Sequence, residues 1–387
     1  MAYDLLVKNG TVIDPSQEMD GVWDVAIADG KVAAIETGIG EGSAREVIDA
    51  SGLIVMPGLL DLHVHVFWGA SHYGIDPDYG NVARGVTTAL DAGSSGARTF
   101  LAFRRYVLER AETRLYALLN ISAMGMLSPK IGELEDLRWA DVDDAVEIGR
   151  ANRDYILGIK ARLGVAQAAD NEVDALKRAI EAAEALGTMV MIHVGNTRTP
   201  LEELTSMLRP GDVVTHSFHG SPHGVLDDSG RVLDGIREAQ RRGVIFDIGH
   251  GAGSFSFATA EKALADGFAP GCISSDLHVY NIEGPVFDQL TTMTKFLHLG
   301  MSLDDVVRLS TQAPATTMGL SQSLGTLKVG AAADATIVSL DEGRFPLTDS
   351  LGVTVEARSS LTHVRTVRDG RIYRPWTSLT PSAFTER

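Results

Sequence analysis

Two histidines one residue apart, His63 and His65, close the apolar run VMPGLLDLHVHV at residues 55–66. In a β-strand, side chains two apart share a face. Both imidazoles therefore project together from the end of one element. Neutral ring nitrogens in that arrangement suit a divalent cation such as zinc. Polar residues also interrupt later apolar runs: Lys160 in YILGIKARLG, His193 in MVMIHVG, His216 in VVTHSFHG and Asp276 in CISSDLH. Singly, each has a structural reading. A strand histidine is commonly a hydrogen-bonded core residue, Asp276 could cap a following segment, and Lys160 could pair with a nearby acid. Together they make a ligand set, provided the fold gathers the ends of those runs.

The elements that would gather them alternate along the middle of the chain. Candidate strands are 53–65, 87–92, 115–122, 156–161, 189–194, 213–216, 244–248 and 272–275. Between them lie amphipathic segments. Glu172 to Leu186 has apolar residues at helical spacing and a Gly187 stop, and 141–150 and 233–242 are similar. Strands alternating with helices predict a (β/α)₈ barrel. In such a barrel catalytic groups collect at the C-terminal strand ends, where these residues fall.

Both chain ends read as short β segments. Asn9-Gly10, Asp29-Gly30 and Asp369-Gly370 are hairpin turn signals between them. Neither end could easily bury its apolar face alone. The expectation is one small discontinuous β-sandwich domain from residues 1–54 and 323–387, flanking a barrel over 55–322. The chain has 387 residues, 44% of them hydrophobic, which fits a globular protein. Its net charge of −17 supplies no basic excess to neutralise phosphates, which argues against nucleic acid or an anionic membrane as partner. The single cysteine, Cys272, excludes an intrachain disulfide. No signal peptide or membrane helix is apparent, and the cytoplasm is the expected compartment. Assembly into a homo-oligomer stays open.

In these residues the chain resembles the amidohydrolase superfamily over essentially its whole length. VMPGLLDLHVH is similar to the P-G-x-x-D-x-H-x-H signature, Lys160 to the bridging lysine, His193 and His216 to the two later histidines, and Asp276 to the last-strand aspartate. GTLKVGAAADATIV resembles the segment returning from barrel to small domain. The resemblance implies two divalent ions, expected to be zinc. His63, His65 and Asp276 would hold one, and His193 and His216 the other. An ammonium cannot donate to a metal, so Lys160 would have to be carboxylated on its side-chain nitrogen, giving oxygens that bridge both ions. A water shared by two such ions loses a proton near neutral pH. Asp276 would take the nucleophile's proton and deliver it to the leaving group. The implied activity is hydrolysis of an amide or ester.

His250, Arg162, Tyr280 and Asn281 are the candidate substrate contacts. His250 follows the seventh strand, and Arg162 shares the strand face of Lys160 and suits a carboxylate. His72, Tyr73, His219 and His278 are further neighbours. The chain is similar to a dihydroorotase-related branch that includes deacetylases. Phe67 stands where many dihydroorotases carry an arginine. The expected reaction is removal of an acyl group, acetyl foremost, from a small α-substituted carboxylic acid. The alternatives are a dihydroorotase or other cyclic amidase and, from another class, a non-catalytic scaffold.

Overall fold

The computed structural model describes residues 2–375. From the N-terminal side come β1 (Tyr3–Asp14), β2 (Met19–Ala28), β3 (Lys31–Glu36), β4 (Ala44–Asp49) and β5 (Ile54–Pro57). The middle supplies β6 (Leu59–Val64), β7 (Val86–Gly96), β8 (Arg114–Asn120), β9 (Ile156–Arg162), β10 (Met189–His193), β11 (Val213–Thr215) and β12 (Ile245–Phe246). The C-terminal side adds β13 (Ala335–Thr348), β14 (Thr354–Arg368) and β15 (Arg371–Tyr373).

The chain ends form one eight-stranded sheet, ordered β15-β14-β13-β5-β1-β2-β3, with β4 on β1. The antiparallel β5–β13 pair stitches the two ends together. Asp29-Gly30 and Asp369-Gly370 make two-residue hairpins with both central φ angles positive, as a type I′ turn requires. Asn9-Gly10 does not. β1 runs straight through it with a register shift between Val7 and Gly10. The reason is packing: a Cβ on Gly10 would lie 2.4 Å from Val55 Cγ2, so this glycine admits β5 rather than a turn.

The expected strand 53–65 is likewise two strands in two sheets, broken at Gly58. A Cβ at Gly58 would sit 2.4 Å from Thr87 Oγ1, and its N–H donates to Asp334 O at 2.8 Å. The terminal sheet therefore keeps the chain through Pro57, three residues beyond the expected boundary at 54.

β6 to β12 form a parallel curled sheet in chain order, the body of a TIM-like barrel. The eighth position is filled, but not by a regular strand. Segment 272–277 touches its neighbours through single parallel bridges, Asp247 to Cys272 and Val64 to Leu277. Asp61 helps to hold it there by accepting from Ser275 N at 3.0 Å and from the Ser275 hydroxyl. Leu60, Leu62, Leu90, Leu118, Met191 and Val213 cluster on the inner face of the sheet.

The helix Glu172–Leu186 spans the predicted residues, and Gly187 ends it at φ 68. It buries Leu176, Ala179, Ala183 and Leu186, each buried leucine contributing ~1.5–3 kcal/mol. Its first residue, Glu172, accepts from Arg198 N and Thr199 N at 2.8 and 2.7 Å, which pins the loop following His193. Among the described residues no helix is long and apolar enough to cross a membrane.

Candidate metal centre and active-site cavity

The C-terminal ends of β6, β9, β10 and β11 and the segment after Cys272 converge on a cavity of about 130 Å³. It is lined by His63, His65, Tyr73, Lys160, Arg162, His193, His216, Ala252, Gly253, Ser254, Asp276 and His278. All six residues expected as metal ligands are therefore in one place.

Their electronic arrangement fits a cation. His63 Nε2 and His65 Nε2 each lie 3.3 Å from Asp276 Oδ1. Burial, reinforced by the Lys160 charge, holds both imidazoles well below their ordinary pKa, so the contacts are not ion pairs. Their protons sit on the far nitrogens. His63 Nδ1 donates to Thr215 Oγ1 at 2.8 Å, and that hydroxyl donates to Asp247 Oδ2 at 2.7 Å. His65 Nδ1 lies 2.9 Å from Ser94 Oγ, whose hydroxyl bonds the Asp91 carboxylate. His216 Nδ1 donates to Gly249 O at 2.6 Å. Each Nε2 is thus left as a bare lone pair. Asp276 Oδ1, buried among them, has no hydrogen-bond partner among the described residues. Electron-rich atoms converging with no proton between them are the donor set of a divalent metal. His63, His216 and Asp276 bring their ligand atoms within 4.8 Å of one another. The His193 ring stands edge-on to that of His216, with centroids 4.5 Å apart.

Two of these ligands are held in left-handed backbone, His216 at φ 70 and Asp276 at φ 49. Such conformations cost of order 1–3 kcal/mol each and persist where the surroundings impose them. Here they turn the side chains inward at the rim.

Lys160 is buried, and desolvation lowers its pKa to about 7. Its Nζ is 3.2 Å from Met191 Sδ, a weak acceptor that does little to retain a proton. Gly93, at φ 88, makes room for it: a Cβ there would lie 2.6 Å from Lys160 Cβ. Near neutrality a substantial share of the amine is therefore neutral, the form that reacts with CO₂.

The substrate-contact candidates separate. Arg162 lines the cavity. It pairs with Glu133 at 3.3 Å, and its guanidinium lies 5.3 Å from the Tyr73 ring centre. His250 does not line it. The ring is fully buried, with Nδ1 on Gly251 O and Nε2 2.7 Å from Lys295 Nζ, so neither nitrogen is free for substrate. Asn281 is also buried, and its side chain turns back to donate to Asp276 O at 2.7 Å. Tyr280 stands outside the lining, 56% exposed, with its ring centre 5.4 Å from that of Tyr73. Loop position reads alike for all three; the turn after Asp276 and a distant lysine decide where they point. His278 and Tyr73, named only as neighbours, are lining residues. Thr215, Ser94 and Asp247 carried no expectation, although each is a polar residue beside or within a β run that ends at the cavity.

Replacing Thr215 by Val removes the acceptor that fixes the His63 tautomer. Metal affinity is expected to fall by roughly 10–100-fold, the usual effect of losing such a partner, in competition against a chelator. Wild-type affinity in T215V would remove this relay from the account.

The barrel with a buried His/Lys/Asp constellation at its C-terminal rim defines a metal-dependent hydrolase. The chain belongs to the amidohydrolase family, whose pattern residues 54–373 match, and it is an enzyme that hydrolyses C–N bonds. A deacetylase of Enterococcus faecalis is 36% identical over 377 residues, 96% of this chain and 100% of the relative. Two solved structures superpose with a TM-score of 0.89. One, described as an adenine deaminase, is 35% identical and matches 96% of this chain and all of its own. The other, described as a dihydroorotase, is 33% identical and matches 96% and 97%.

Proposed function

We propose that the protein removes an acyl group, acetyl foremost, from the nitrogen or oxygen of a small α-substituted carboxylic acid. The observation that carries this reading is a buried guanidinium, Arg162, facing into the same small cavity as the metal-ligand set. The name of the Enterococcus relative supports the acyl transfer to water. The partner in this reading is a small molecule.

His63, His65, His193, His216 and Asp276, together with Lys160 once carboxylated, would hold two divalent ions, zinc by donor type. When bound, the ions supply a water-derived nucleophile at neutral pH and polarise the scissile carbonyl. Arg162 binds the substrate carboxylate through paired N–H donors, which sets the acyl carbon over the site. Asp276 accepts the proton of the attacking group and returns it to the leaving amine or alkoxide. His278 Nδ1 accepts from Tyr280 N at 3.2 Å, so its proton is on Nε2, which lies 4.0 Å from Asp276 Oδ2. That edge can donate to the oxyanion formed by attack. Residues Ala252 to Ser254 form part of the cavity lining.

Phe67 stands in the dihydroorotase arginine position, but its ring packs on Phe103, 4.7 Å between centres, in the apolar core. The arginine of this cavity comes from β9 instead.

The test is turnover of a panel: N-acetyl-amino acids, O-acetyl-α-hydroxy acids, dihydroorotate and adenine. Acetate release from an acetylated acid is expected to dominate, with Arg162→Met raising KM by roughly 10–100-fold, the equivalent of losing one or two charge-assisted hydrogen bonds. Preference for dihydroorotate or adenine would replace this reading. An unchanged KM in R162M would remove the carboxylate contact.

A further inference from the structure

His250 and Lys295 lie behind the cavity wall. Lys295, on the helix Gln289–His298, is 0% exposed. Its Nζ donates to Pro285 O at 2.9 Å and Thr348 O at 2.8 Å, and reaches His250 Nε2 at 2.7 Å. An ammonium has three N–H groups, and all three are used. His250 is consequently an acceptor at Nε2 and carries its proton on Nδ1, which donates to Gly251 O at 2.9 Å. The ring is stacked on Phe255, 4.6 Å between centres.

Burial lowers the Lys295 pKa to about 7, offset in part by the Asp349 and Asp288 carboxylates at longer range. Its three acceptors, all neutral, are the contacts that hold it protonated. Burying a charge among neutral acceptors is costly. The lysine's link to the loop runs through the His250 ring to Gly251 O. The backbone there is bonded to the segment before Asp276, His250 N to Ser274 O at 3.2 Å and Gly251 N to Ser275 O at 3.0 Å. That backbone lies directly against the ligand set. A Cβ at Gly249 would be 2.9 Å from His216 Nδ1 and 3.1 Å from His63 Nδ1, and one at Gly251 would be 2.4 Å from Asp276 Oδ2. The β13–β14 hairpin tip grips the same loop from its other side. Ser350 Oγ donates to Gly251 O at 3.0 Å, and Ser350 N donates to Phe255 O at 3.0 Å.

We propose that Lys295 is a positioning residue for Asp276. Through His250 it sets residues 249–254 against the Asp276 carboxylate, and Thr348 and Ser350 of the hairpin complete the clamp. The terminal β domain thereby takes part in building the active site. The proposal rests on Asp276 as the proton carrier.

Lys295→Met keeps the length and apolar stem and removes the donors. On the metal-loaded enzyme kcat is expected to fall by ~10–100-fold, as for a misplacement of up to about 1 Å, with KM nearly unchanged. The cobalt-substituted variant is expected to show a shifted visible spectrum, because the ligand geometry at Asp276 has changed. Ser350→Ala, which removes one hydroxyl from the opposite side, should move both readouts in the same direction by less. It carries the test by itself if K295M does not melt cooperatively. A folded K295M, or failing that a folded S350A, with wild-type kcat and cobalt spectrum overturns the clamp. Asp276→Asn, run alongside, separates the two ideas. Full turnover in D276N removes the proton-carrier reading, whereas an inactive D276N beside an unaffected K295M removes only the clamp.

Discussion

Asp276→Asn is expected to fold, bind metal and lose kcat by about 10²–10⁴-fold, the range for removing a general acid–base group. Three features make this substitution clean. Asp276 sits at φ 49, and asparagine is among the few residues that tolerate left-handed backbone. The segment is fastened independently of the carboxylate, by Asn281 on Asp276 O and by Asp61 on Ser275. An amide oxygen can still face His63 and His65, so the loss falls on proton transfer more than on metal binding. KM should change little, since Arg162 is untouched. Metal content and steady-state kinetics on one preparation check it. Metal-replete D276N with near-normal kcat would remove Asp276 from the chemistry.

The second large effect is expected at Lys160. Lys160→Met keeps the packing against Gly93 and loses the amine. Metal affinity should drop by at least ~100-fold, the upper end of what even an indirect partner contributes, and turnover should fall with it. The physical reason is the state of the amine. Burial brings its pKa down to about 7, so a substantial neutral fraction exists near neutrality to bind CO₂ and become a carbamate with two donor oxygens. Labelling with ¹³C-bicarbonate should give a protein-bound carbamate resonance in the wild type and none in K160M. No resonance in the active wild type would leave Lys160 as a plain amine and the bridge without a chemical basis.

The convergence of the six candidate ligands was legible because each breaks an apolar run at a strand end, and a parallel barrel sends all those ends to one rim. The helix at Glu172–Leu186 was legible for a similar reason, since periodicity and the Gly187 stop are both local. What failed depended on partners distant in sequence. Asn9-Gly10 obeys the hairpin rule locally, but β5 approaches and makes it a bulge. His250 looks like a rim residue until Lys295, 45 residues later, takes its free nitrogen. Asn281 faces the backbone of its own turn rather than the cavity. The eighth barrel position holds no regular strand because the segment twists into the left-handed residue that aims Asp276. Arg162 reached the cavity because it shares a strand face with Lys160, a rule of period two that survives folding.

The most direct measurement is acetate release from the acetylated panel, read against bound metal per chain in one titration from metal-free protein. Turnover is expected to rise as divalent ions bind, reach its plateau at two per wild-type chain, and be nearly absent in K160M at equal total metal. Metal-free protein that releases acetate at the full rate would contradict this.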